Sequence, residues 1–152
     1  TMISAVSPGA IEARLVLMDV YRGLDGVPRG AAKFLRIIED VPRKGVREGG
    51  VIVTAETKIY TVKRILGTVP VEPDGSAHFI VPADRNVYFE VLDAKQREIQ
   101  RMRSVVCLKP DEKRTCVGCH EPQHASPPNV PAAAASLLAH LPSRVVSPLP
   151  RR

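Results

Sequence analysis

"GTVPVEPDGSAHFIVPADRNVYFEVLDAKQREIQ", residues 67–100, decides the fold. Its "EPDGS" is a turn with a mechanism, because Pro73 presets one backbone dihedral and Gly75 supplies a positive φ. After that turn Ala77, Phe79 and Val81 alternate with other residues, and after "PADRN" so do Val87, Phe89 and Val91. A period of two marks strands with one face turned to a core. Short strands separated by turns at about ten-residue spacing predict an all-β chain, an antiparallel β-sandwich.

The flanking segments fit that reading. Upstream, "ARLVLMDVYRG" (13–23) is an apolar run of strand length closed by a turn. "AAKFLRIIEDVP" (31–42) has a composition that also suits a short helix, but it lacks caps and stops at Pro42, so a strand is expected. "KGVREGG" (44–50) reads as a loop, and "VIVTAETKIYTVKRIL" (51–66) is β-branched throughout. Downstream, "RMRSVVCLKPDEKR" (101–114) predicts one more strand and a polar loop that delivers the chain to Cys116. The domain organisation expected is an N-terminal extension over 1–12, a sandwich over 13–124 and a Pro/Ala-rich linker or tail over 125–152. That tail holds at most one short helix, over 132–141, because few apolar side chains between many prolines cannot offset the entropy of ordering it.

Composition bounds the function. Apolar residues at 44% and charged residues at 25% are ordinary for a globular domain, whereas 14 prolines are many, and half of them fall in residues 122–150. The net charge of +6 is spread over "RKGVR", "KR" and "RMR" with no interleaved aromatics, so no nucleic-acid partner is expected. No apolar run has the length of a membrane span. The first residues lack the basic start, apolar centre and small-residue cleavage site of a signal peptide. Since the chain begins with Thr, it reads as an internal fragment whose targeting signal, if any, lies upstream.

"TCVGCHEPQH" (115–124) gathers two of the three cysteines and two of the four histidines. C-x-x-C-H is the pattern of covalent haem attachment: two thiols three positions apart reach the two vinyl groups, and the adjacent His turns its imidazole to the iron. Cys116, Cys119 and His120 match it without adjustment. Zinc is the rival, with Cys107, Cys116, Cys119 and either His120 or His124 as four ligands, although the second close pair of a zinc ribbon is missing. A thioredoxin-like dithiol would need the motif to open a helix after a strand, which this β-rich then Pro-rich context does not offer.

Iron needs a second axial ligand or an open face. No Met follows the motif, so a thioether would come from Met102 or Met18, and an imidazole from His124, His140 or His78. Met102 and Met18 are ordinarily strand residues of the core, His78 points out of its strand opposite Phe79, and His140 lies in the tail. His124, four residues past His120, is the most economical extra ligand for iron or zinc. Cys107 is expected to pack in the core.

Three segments together carry a resemblance: "LVLMDVYRGLDGVPRGAAKFLRIIEDVPR", "RILGTVPVEPDGSAHFIVPADRNVYFEVLDAKQREIQRMRS" and "EKRTCVGCHEP". From about residue 13 to residue 122 the chain resembles the middle, haem-bearing domain of the hydrazine synthase alpha subunit family. The resemblance implies a β-sandwich with one haem c on Cys116 and Cys119, in a protein where a β-propeller precedes the domain and a further haem segment follows. It implies a periplasmic location, since haem c is attached outside the cytoplasm. It also implies partners: a redox protein or further haem domains of the same polypeptide. In the synthase, a Tyr four residues past the motif His is implied to bind the iron and leave that His for zinc; this chain has His124 there. The expected function is therefore a haem c electron-transfer module of a larger exported protein. The alternatives are a haem enzyme whose open iron acts on a small nitrogen compound, and a zinc-stabilised structural domain.

Overall fold

The structure, a computed structural model, describes residues 11–41, 62–120, 124, 142 and 143. Residues 1–10 of the expected extension over 1–12, the loop over 44–50, residues 51–61 of the β-branched segment over 51–66 and the short helix over 132–141 lie outside the described residues; Glu12, expected in the extension, opens β1. The described residues form β1 (Glu12–Leu17), β2 (Phe34–Val41), β3 (Val62–Pro70), β4 (Ala77–Pro82), β5 (Asn86–Leu92), β6 (Glu98–Arg101), β7 (Val106–Cys107) and β8 (Lys113–Cys116).

These strands make an all-β sandwich of two sheets. The first has the order β4-β1-β8, and the second β3-β2-β5-β6 with β7 also paired to β5. In β1 and β4 the two-residue period of the sequence becomes geometry. Ala13, Leu15 and Leu17 are buried, as are Ala77, Phe79 and Val81, and the antiparallel register sets Leu15 opposite Phe79. In the second sheet Leu35 lies opposite Val91 and Ile37 opposite Phe89. Phe79 and Phe89 meet edge to face between the sheets, with ring centroids 5.5 Å apart.

The "EPDGS" turn forms as its residues dictate. Gly75 takes φ +91°, its N–H donates to the Glu72 carbonyl at 2.9 Å, and the Asp74 carboxylate accepts from the Ser76 N–H at 2.9 Å. The segment 31–42, ambiguous by composition, is a strand as far as it is described.

Two elements depart from the simple pattern. β5 buries Tyr88, Glu90 and Leu92 as well as Val87 and Val91; on the outer face, Lys63 lies over the Tyr88 ring, 5.1 Å from its centroid, and arginines close over Glu90. Glu90, 4% exposed, is held by Arg36 at 3.1 Å from β2 and by Arg101 at 3.2 Å from β6. Glu39 is likewise buried and paired with Arg64 and Arg85. The second departure is "KRTC": these residues were expected in a polar loop, yet they form β8, which runs parallel to β1 as an edge strand. Its exposed Lys113 and Thr115 are what an edge carries, and that is why the segment reads as loop. At the other edge of this sheet, Ser143 pairs with β4, donating from its N–H to the His78 carbonyl at 2.8 Å.

Glu90→Ala removes a buried carboxylate but leaves two guanidinium groups that water can reach, so it should cost about 1–3 kcal/mol in a denaturant titration. An unchanged midpoint would mean that the Arg36 and Arg101 pairs contribute nothing to holding β2, β5 and β6 together.

Candidate functional site

Cys116 closes β8, paired in parallel register with Leu17 of β1. Beyond the strand, the Met18 N–H donates to the Cys116 carbonyl at 2.9 Å, so the first motif cysteine is fixed from both sides. The motif then turns across the segment that follows β1. Cys119 and His120 both donate their N–H groups to the Arg22 carbonyl, at 3.0 and 3.4 Å.

Glycine makes this approach possible on each side. A Cβ on Gly118 would lie 2.5 Å from the Arg22 carbonyl oxygen, and one on Gly23 would lie 2.6 Å from His120 Cβ. Gly23 also has φ +83°, a conformation that L side chains resist. The supporting turn is itself organised by polar contacts. The Tyr21 hydroxyl accepts from the N–H groups of Gly30 (2.6 Å) and Ala32 (3.1 Å), and Asp19 accepts from the Tyr21 N–H at 3.0 Å. Arg29 pairs with Asp19 at 2.5 Å and stacks 5.2 Å from the Tyr21 ring centroid.

Between the two sheets lies a cavity of about 710 Å³. Leu15, Leu17, Phe79 and Cys116 of the first sheet form one wall; Leu35, Phe89, Val91 and Gln100 of the second, with Met102 just beyond β6, form the other. Cys119, His120, Arg101, Arg103 and Ser104 complete its lining. The volume falls in the range of cofactor pockets, about 300–1,000 Å³, and apolar walls with a few polar groups are their usual chemistry.

The Cys119 thiol is pushed up to about 12, first by burial, then by Cys116 and Asp19. A reactive redox dithiol sits in a setting that lowers the thiol's pKa, and this apolar setting does the opposite. Burial keeps Cys119 as a neutral thiol in an apolar wall.

The remaining sequence candidates are dispersed. Cys107, expected in the core, is exposed on β7, a two-residue strand at the end of the second sheet. It does not join Cys116 and Cys119, and among the described residues no three His, Cys, Asp or Glu side chains gather to hold an ion. His78 faces away from the core on β4, Met18 is half-buried outside the cavity lining, and His124 is exposed. His140 lies outside the described residues. Met102, expected as a strand residue of the core, lines the cavity with the motif. Sequence reasoning missed the Arg22 carbonyl and the opposing wall of Leu35, Phe89 and Val91. The glycines of "YRG" and "CVGC" were the available signal for the first; nothing local marked the second.

Residues 30–121, more than half of the chain, match the family model described as the hydrazine synthase alpha subunit middle domain. Among solved structures, the fold is similar to a chain of hydrazine synthase from Kuenenia stuttgartiensis, with a TM-score of 0.55 and 19% sequence identity. That likeness covers 73% of this chain and 18% of the other, so the chain spans under a fifth of that relative's length. No curated protein matches the sequence.

Gly23 and Gly26 share a positive φ, +83° and +80°, but a Cβ on Gly26 meets nothing within 4 Å. Gly26→Ala should therefore cost only about 1–2 kcal/mol for its backbone. Gly23→Ala should cost about 1–3 kcal/mol more, because it also collides with the motif; equal losses in thermal unfolding would contradict the close approach. Thiol reactivity offers a second check. In the chain without any attached group at pH 8, alkylation followed by peptide mapping should label exposed Cys107 first and Cys119 last. Early labelling of Cys119 would place its thiol in water.

Proposed function

The chain belongs to the hydrazine synthase alpha subunit middle-domain family, and from that premise we propose that it is a haem c-binding redox module of a larger exported protein. The observation that carries this reading is the inter-sheet cavity with both motif cysteines and His120 in its lining.

The residues present fit a haem. Cys116 and Cys119 would hold it by adding their S–H groups across the two vinyls, and both thiols are half-buried at the cavity, Cys119 firmly protonated. His120 follows Cys119 directly and would be the imidazole the motif offers to the iron. His124 stands as the alternative ligand, to iron or to zinc. When bound, haem supplies one-electron redox chemistry. Leu15, Leu35, Phe79, Phe89 and Val91 give the pocket an apolar wall, and the polarity around a haem is one of the levers on its potential. Arg103 supplies a cationic group of the kind that matches carboxylates, such as the haem propionates. The Arg22 carbonyl and Gly23 position the motif and touch no reacting atom.

A periplasmic or otherwise exported location goes with this reading, because haem c is attached there. Its electrons would pass to a redox partner protein or to further haem domains of the same polypeptide.

Expressed in a periplasm equipped for haem maturation, the chain should carry a haem-sized mass increase that survives denaturation. Cys116→Ala and Cys119→Ala should each leave a single thioether and shift the reduced absorption band. An unmodified mass with stoichiometric zinc would replace this reading with a structural metal site.

A further inference from the structure

We infer that the Met102 thioether is an axial ligand of the haem iron, donated from the wall opposite the motif; this rests on the haem c reading above. Backbone pairing places that side chain. β6 runs antiparallel to β5, with Gln100 opposite Val91 and Arg101 opposite Glu90. One residue on, the Met102 N–H donates to the Phe89 carbonyl at 2.9 Å. Cross-strand neighbours share a face, so Met102 and Gln100 lie on the side of Phe89 and Val91, which is the cavity side. Arg101 holds this register through its ion pair with Glu90 at 3.2 Å.

Elimination among donor atoms leads to the same residue. Of the described side chains lining the cavity, the iron-ligating types are Cys116, Cys119, His120 and Met102. Attachment consumes both cysteines as thioethers, which leaves one imidazole on the motif side and one neutral sulfur on the β5–β6 side. Of the other sequence candidates, Met18, His78 and His124 are absent from that lining, and His140 lies outside the described residues. A half-buried Met beside aromatic and aliphatic groups brings a soft donor without a charge to desolvate. With both axial positions filled by protein, the site is an electron carrier, and a Met ligand raises its potential.

The test uses the full chain matured with haem. The wild type should be low-spin in the ferric state, with a sulfur-to-iron charge-transfer band. Met102→Leu conserves volume and removes the donor, so it should retain the fold. That variant should lose the charge-transfer band, become high-spin, bind added cyanide faster and show a lower potential. Met102→His should restore the low-spin state without the sulfur band. A Met102→Leu spectrum identical to the wild type, or loss of the low-spin state in His124→Ala alone, would overturn the inference while the haem reading stood. A chain with no haem-sized mass increase would overturn both.

Discussion

One backbone carbonyl, that of Arg22, accepts from both Cys119 and His120, and the position of the whole motif depends on it. The contact exists because two glycines let two loops approach backbone to backbone; a side chain on Gly23 or Gly118 would occupy space already filled. Behind Arg22, the Tyr21 hydroxyl and Asp19 with Arg29 fix a turn that otherwise has no regular structure. The parallel pairing of β8 with β1 does the rest, so Cys116 enters the loop from a strand and not from a free segment. The motif is thereby mounted on paired strands and a braced turn.

The two sheets share an interior but do not fill it. Phe79 and Phe89 meet edge to face within a core that both sheets share, and beside that contact the walls part to leave a cavity with a largely apolar lining. An open apolar pocket of this size leaves hydrophobic side chains in contact with solvent, which is unfavourable. A flat apolar cofactor inserted there would cover them. The buried Glu90 strengthens this sheet from within, since its two arginines tie the cavity-bearing strands β5 and β6 to β2.

Much of this was legible in the sequence. Alternation at Ala77, Phe79 and Val81 and the turn chemistry of "EPDGS" set out the sandwich, and the C-x-x-C-H spacing marked Cys116, Cys119 and His120. Other features were hidden for physical reasons. "KRTC" reads as loop because an edge strand is polar, and its partner in the parallel pairing is almost a hundred residues away in the chain. Cys107 looked like a core thiol from its flanking Val106 and Leu108, yet a two-residue strand at a sheet end leaves it exposed. Met102 shares the cavity with the motif only through the β5–β6 register, and no local pattern encodes that register.

The most direct test of the proposed haem site is a crystal structure of the chain after haem maturation, with any iron located by anomalous scattering. The iron should lie between the two sheets, with thioether bonds to Cys116 and Cys119 and the macrocycle against Phe89 and Val91. An iron on the outer surface, with the motif loop detached from Arg22 and the inter-sheet cavity collapsed, would contradict the central claim.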